Sequence, residues 1–64
     1  EESLIRYANK VAREVAKTRK TKKLDYMNPY ERRIIHSALQ NDKYVITYSE
    51  GTDPYRRLVI ECKR

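Results

Sequence analysis

The chain has very little of several residue types. Its 64 residues include one cysteine, one histidine, one glycine and two prolines, and neither tryptophan nor phenylalanine. A single cysteine excludes an intrachain disulfide, and one cysteine with one histidine cannot supply the four ligands of a structural zinc site. Because Gly51 is the only glycine, a glycine-rich phosphate loop is excluded as well. We therefore expect no bound metal or cofactor.

Long apolar segments are also missing. No apolar run approaches the roughly 20 residues that span a bilayer, and the first residues lack the basic-then-apolar pattern of a signal peptide. We expect no membrane insertion and a cytoplasmic location. A chain of 64 residues has room for one domain and no deep pocket. Residues 1–64 are therefore predicted to form a single domain, expected to be a fragment of a longer protein because the chain does not start with methionine.

Positive charge is plentiful and unevenly distributed. The formal net charge is +6, and residues 1–23 carry eight Lys or Arg against three Glu, whereas residues 24–64 carry seven against six acidic residues. The densest run is the segment 17–23. Such a balance suits a polyanionic partner, since basic groups release the counterions of phosphates on binding. The alternative is a basic surface that is only solvated.

The periodicity of apolar residues predicts two helices and three strands. Between residues 3 and 17, apolar side chains recur every three or four positions, which indicates an amphipathic helix. Its opposite face carries a basic ridge that consists of Arg6, Lys10, Arg13 and Lys17. This ridge is either a nucleic-acid contact or an ordinary solvated surface. A second helix is predicted from Pro29 to Gln40, with Asn28 as N-cap and Glu31 completing a capping box.

Three further segments have the character of strands. They are a marginal edge strand over residues 22–26, a strand over 44–48 rich in β-branched and aromatic residues, and a strand over 55–62. Residues 49–54 are predicted to be the loop of an antiparallel hairpin. The order of elements favours an α+β fold in which two helices pack on one face of a small three-stranded sheet. Tyrosines on the other face could stack on bases or cover the edges of a thin core.

The second helix carries an Arg-x-x-x-His pair. Its buried face is predicted to consist of Tyr30, Ile34, Ile35, Ala38 and Leu39. Arg32 and His36 lie one helical turn apart, just outside that face, close enough together to bind a single phosphate or a phosphate and its neighbouring base. We expect Arg32 to supply a permanent cation and His36 a single hydrogen bond. Pairs with this spacing are common on helices, so the spacing alone does not indicate a binding site. Other motifs in the sequence are needed to support that function.

Those motifs resemble a known family. The segment 27–40, followed by Tyr48-Ser49-Glu50-Gly51 and the segment 54–60, is similar to an R-three-H domain, and most similar to the C-terminal module of the bacterial Jag (SpoIIIJ-associated) family. The resemblance covers nearly the whole chain. It implies the same two-helix, three-strand fold, binding of single-stranded RNA or DNA, and a KH domain adjacent in the parent protein. The expected nucleic-acid-binding residues are Arg32, His36, Ser49, Gly51, Arg56, Arg33, Arg57, Lys22 and Lys23.

Two other functions are compatible with parts of the sequence. A hydrolytic enzyme would use His36 as general base, oriented by Glu50 or Asp53, with Ser49 as nucleophile. Such a triad also needs an oxyanion hole and a cleft that excludes water, which a thin two-layer domain does not offer, so we expect no enzymatic activity. A protein-interaction module that docks an acidic partner domain is the stronger alternative, because the basic ridge and the tyrosines would serve it equally well.

Overall fold

A computed structural model describes residues 2–52 and 54–63 of the chain. The elements follow the predicted order: α1 (Glu2–Thr18), β1 (Lys22–Lys23), α2 (Pro29–Leu39), β2 (Val45–Glu50) and β3 (Arg57–Cys62). The strands form one antiparallel sheet in the order β1-β3-β2, so β3 is central and β1 and β2 are its edges. This arrangement confirms the α+β fold.

The helix α1 ends in the basic run, as predicted. Arg19 has a φ of 61°, in the left-handed region, and its N–H donates to the carbonyl of Val15 at 2.7 Å. This is the left-handed cap with which many helices stop, although glycine is the usual residue there. The side chain of Thr18 also donates to the carbonyl of Glu14 at 2.9 Å.

The strand boundaries differ from the sequence prediction. The first strand stops at Lys23 instead of continuing to residue 26. The next residue, Leu24, is buried in the core, and its N–H still donates to the carbonyl of Leu58 at 2.9 Å. The hairpin loop is shifted by two positions along the chain, to residues 51–56 instead of 49–54. Ser49 and Glu50 pair with β3 as part of β2, and β3 begins at Arg57 rather than at residue 55.

The core lies between the two helices and one face of the sheet. Leu58 and Ile60 of β3 point into it and Cys62 packs against it, as the predicted alternation requires. The buried members are Ala8, Val11, Ala12, Val15, Leu24, Ile35, Leu39, Val45, Leu58 and Ile60. The opposite face of the sheet, which the helices do not cover, is not wholly exposed to solvent. Val59 lies there in register with Lys23 and Tyr48, and it is fully buried.

The buried face of α2 is narrower than predicted, and it is rotated. It consists of Arg32, Ile35 and Leu39, whereas Tyr30 is 59% exposed and Ala38 is exposed too. Successive residues turn by about 100° around a helix, which places Tyr30 on the far side from Arg32. The sequence prediction assigns Tyr30 and Ala38 to the buried face because they are apolar. Packing against the hairpin instead buries the stripe that contains Arg32.

No helix within the described parts of the chain is long and apolar enough to cross a membrane.

Candidate functional site

The start of α2 is fixed by a reciprocal cap. The side-chain Oδ1 of Asn28 accepts from the N–H of Glu31 at 2.8 Å, and Oε1 of Glu31 accepts from the N–H of Asn28 at 3.2 Å. Pro29 occupies the first helical position, where its missing N–H costs no hydrogen bond. The cap is confirmed as predicted. It fixes the residue at which the helix begins, about one turn before Arg32.

Arg32 points into the protein. The residue is only 9% exposed, and its Nη1 donates to the carbonyl oxygen of Met27 at 2.7 Å and, over a longer 3.4 Å, to that of Arg56. The sequence placed Arg32 just outside the buried face, which is wrong. Both carbonyls belong to segments outside helices and strands, where a long cationic side chain can satisfy buried oxygens. Arg32 thus connects the segment before α2 to the segment before β3.

His36 is exposed and lies one turn further along α2. Its ring Nδ1 forms a hydrogen bond with the hydroxyl Oγ1 of Thr47 on β2. Because side chains alternate along a strand, Thr47 and the half-buried Ser49 share the face of β2 that is turned toward the helices. The imidazole is therefore oriented by the sheet. Thr47 is a residue that the sequence analysis missed, since only the packing of α2 on β2 brings it to His36.

Gly51 and Arg56 meet across the hairpin end. The φ of Gly51 is +95°, and a Cβ atom there would lie 2.5 Å from the carbonyl oxygen of Tyr55. Nη1 of Arg56 donates to the carbonyl of Gly51 at 2.9 Å. Glycine is required at this position for its backbone geometry. The structure links Arg56 to both Gly51 and Arg32, so three of the predicted residues are joined.

The other predicted residues are spread over the surface. Arg33 is exposed on α2 next to Arg32. Arg57 lies on the open face of the sheet, where its Nη2 donates to the hydroxyl of Tyr26 at 2.5 Å. Lys22 and Lys23 form the edge strand β1, on the side of β3 away from β2, and Lys23 forms an exposed ion pair with Glu50 at 3.1 Å. Arg57, Lys22 and Lys23 are therefore not brought together with His36.

Among the described residues, Ser49 and Glu50 do not lie on one face as a triad with His36 would require. Strand alternation places Glu50 on the opposite face of β2 from Ser49, and Glu50 is paired with Lys23. The other carboxylate that the sequence offered, Asp53, lies outside the described residues. Within residues 2–52 and 54–63 no three His, Cys, Asp or Glu side chains are grouped closely enough to hold a metal ion. What the site does present is a set of hydrogen-bond donors and cations suited to anionic oxygens.

Comparisons with known proteins agree on one family. The profile of the R-three-H domain matches residues 2–61. A protein named RNA-binding protein KhpB from Clostridium symbiosum is 52% identical over 98% of this chain, which covers 28% of that relative. KhpB of Lactiplantibacillus plantarum is 44% identical over 97% of the chain and KhpB of Bacillus subtilis 42% over 98%, covering 19% and 31% of those relatives. The chain thus spans less than a third of the relatives that it matches.

Proposed function

Because this chain belongs to the R-three-H domain family, as the match over residues 2–61 shows, we propose that it is a module that binds single-stranded nucleic acid. The match carries the proposal, since it includes the Arg32 and His36 pair together with the hairpin around Gly51. The relatives, of the Jag family, are named RNA-binding proteins, which supports the same function here. RNA and single-stranded DNA are both within the proposal.

The proposed contact surface is the α2–β2 flank, which we define as Arg33, His36, Thr47, Ser49 and Arg56. Arg33 and His36 are exposed, and the other three are half-buried. Guanidinium, imidazole and hydroxyl groups can all donate to phosphate oxygens, and charge-assisted bonds of this kind are the stronger ones. Arg32 serves this surface by positioning, because its guanidinium binds the carbonyls of Met27 and Arg56.

Phosphate contacts of this kind carry little sequence information. A flank of a few residues also provides little binding energy, so we propose weak binding that tolerates most sequences. Positive charge is also present at a distance from the flank, on Lys22, Lys23 and Arg57. These residues contribute to binding through the overall electrostatic field, or through direct contacts with a nucleic-acid strand long enough to cross the sheet.

The parent protein is proposed to carry a KH domain beside this module and to act in the cytoplasm. The support is the resemblance to the Jag family and the greater length of the relatives, of which the chain spans 19% to 31%. A second binding domain on the same chain raises the effective concentration of the ligand and so compensates for weak contacts. Sequence selection would then belong mainly to the neighbouring domain.

We propose binding without catalysis. The support is the separation of Glu50 from Ser49 on opposite faces of β2 and the names of the relatives, which denote binding proteins. The alternative of a module that docks an acidic partner domain is not favoured, because the matched relatives are named for RNA.

Salt dependence tests the proposal. Affinity of the chain for a short single-stranded oligonucleotide is measured by fluorescence anisotropy at several salt concentrations. If three to five phosphates are contacted, log K falls against log salt with a slope of roughly −2 to −3.5. Arg33→Ala removes one contact and reduces the magnitude of the slope by about 0.7. Arg13→Ala, which makes the same charge change on α1, is the control and leaves the slope nearly unchanged. Absence of binding at low salt would contradict the proposed function.

A further inference from the structure

Two exposed tyrosines form a pair at the hairpin end of the open sheet face. The ring centroids of Tyr26 and Tyr55 are 5.8 Å apart and their planes meet at 68°, an edge-to-face arrangement. The two residues are 52% and 68% exposed. Aromatic side chains usually bury most of their area. Here two of them lean on each other while large parts of both rings remain accessible to a ligand.

Arg57 fixes the first of these rings. Its guanidinium carbon lies 4.3 Å from the centroid of the Tyr26 ring, and its Nη2 donates to the Tyr26 hydroxyl at 2.5 Å. A cation over the face of an aromatic ring is attracted by the negative charge of that face. Tyr26 is therefore held by a cation–π contact, a hydrogen bond and an edge-to-face contact with Tyr55.

The backbones that carry the pair are also tied together. The N–H of Met27, next to Tyr26, donates to the carbonyl of Arg56, next to Tyr55, at 3.4 Å. Arg32 donates to the carbonyls of the same two residues. The buried arginine of the family motif thus fixes the distance between the segments that present the two rings. A preorganised aromatic surface loses less conformational entropy when it binds.

A shallow groove adjoins Tyr26. Its described lining residues are Tyr26, Met27, Asn28, Pro29 and Pro54, none of which is charged. The lining is mainly apolar, and the guanidinium of Arg57 lies over the ring of Tyr26, which borders the groove. Aromatic rings interspersed with cations suit a flat base attached to a charged backbone.

We propose that Tyr26 and Tyr55 form a stacking site for an unpaired nucleobase, lying outside the α2–β2 flank. The inference rests on the proposed function and extends it, because it adds base contacts to the phosphate contacts. A base fits the size of the feature: two rings and a shallow groove are far smaller than the roughly 800 Å² per partner of a stable protein–protein interface. The positive charge beside the rings attracts the phosphates that flank the base.

Leucine substitutions test the stacking site. Binding of a single-stranded oligouridine to the chain is compared with binding to Tyr26→Leu and Tyr55→Leu, which keep apolar bulk and remove the rings. Each stacked base contributes about 1–3 kcal/mol, so we expect roughly 5- to 150-fold weaker binding. Tyr55→Phe retains the ring and should bind as the unmodified chain does. Tyr44→Leu is the matched control, since Tyr44 is 64% exposed but precedes the opposite end of β2.

An abasic oligonucleotide separates stacking from phosphate binding. The unmodified chain should bind oligouridine more tightly than an abasic strand of equal length, and both tyrosine variants should lose that preference while keeping the salt slope. A second measurement uses only the unmodified chain, so it does not require that any variant folds. On adding oligouridine, the ring protons of Tyr26 and Tyr55 should shift upfield in NMR spectra, and those of Tyr44 should not.

The outcomes of these experiments are distinguishable. Binding that is salt-dependent but insensitive to both leucine substitutions, with no upfield shift of either ring, overturns the stacking site and leaves the proposed function standing. Failure of the unmodified chain to bind either strand at low salt contradicts the proposed function itself.

Discussion

Nη1 of Arg32 lies 2.7 Å from the carbonyl oxygen of Met27, two residues before the helix that carries Arg32 begins. The side chain therefore folds back over the N-terminal end of its own helix, where it also reaches the carbonyl of Arg56 at 3.4 Å. An arginine that the sequence marks as a ligand-binding cation is in the structure a connection between two loops. Its influence on binding is exerted through the groups that those loops carry.

Replacing Arg32 should affect stability first. Arg32→Ala leaves the carbonyls of Met27 and Arg56 without this donor, and hydrogen bonds to charged groups contribute about 1.5–3 kcal/mol. We expect the free energy of unfolding, measured by urea denaturation, to fall by about 2–3 kcal/mol. Arg33→Ala is the control, because replacing this exposed neighbour should change the free energy of unfolding by less than about 0.5 kcal/mol. Equal stability of the two variants would show that Arg32 has no structural role.

The hydroxyl of Thr47 should matter for nucleic-acid affinity. Thr47→Val keeps the shape of the side chain and removes the group that orients the ring of His36. The loss of a hydrogen bond of about 0.5–1.5 kcal/mol corresponds to roughly 2- to 12-fold weaker binding. Anisotropy titration with the oligonucleotide measures the affinity of each variant. Thr52→Val, in the hairpin loop, serves as the control. If Thr47→Val binds as tightly as the unmodified chain while His36→Ala does not, the orientation of the ring is unimportant.

Gly51 should not tolerate a side chain. Gly51→Ala places a Cβ 2.5 Å from the carbonyl of Tyr55 at a φ of +95°, so the hairpin end must distort. A residue held in such a backbone conformation costs about 1–3 kcal/mol. We expect a loss of that size in the free energy of unfolding, with a correspondingly lower melting temperature by circular dichroism. Thr52→Ala, one residue later, is the control. A fully stable Gly51→Ala variant would indicate that the loop readily adopts another conformation.

The capping box should contribute to stability and leave binding unaffected. Glu31→Ala removes the acceptor for the N–H of Asn28, which should lower the free energy of unfolding by about 1 kcal/mol. Glu14→Ala, an exposed acidic residue within α1, makes the same charge change and is the control for both measurements. Loss of oligonucleotide binding at nearly full stability would assign Glu31 to the interface instead.

Elements with strong local signals were predictable. The helix α1 and the cap of α2 follow from apolar spacing and from the sequence Asn28-Pro29-Tyr30-Glu31, because both depend on interactions within a few residues. Strand ends were not predictable to the residue. Ser49 and Glu50 belong to β2 only because β3 offers hydrogen-bonding partners at Leu58 and Arg57, and pairing between strands is a non-local property.

The candidate site was predictable in identity and not in geometry. The motif and the resemblance selected Arg32, His36, Ser49 and Gly51, and the family match confirms the resemblance. The partner of His36, Thr47, carries no local signal. The same is true of the pairing of Tyr26 with Tyr55, which are 29 positions apart in the chain and are brought together by the antiparallel pairing of β1 with β3 and the hydrogen bond between Met27 and Arg56 that follows it.

The sequence by itself determined that the chain has two helices and a hairpin, that it is strongly basic, and which family its motifs resemble. These properties are sums over composition or patterns within a few residues, so they can be predicted without knowledge of the tertiary contacts. Only the tertiary structure decided that Arg32 faces inward while His36 faces outward. Both residues lie on one side of α2, and the difference arises because the segments before α2 and before β3 offer carbonyl oxygens to Arg32, whereas β2 offers the hydroxyl of Thr47 to His36.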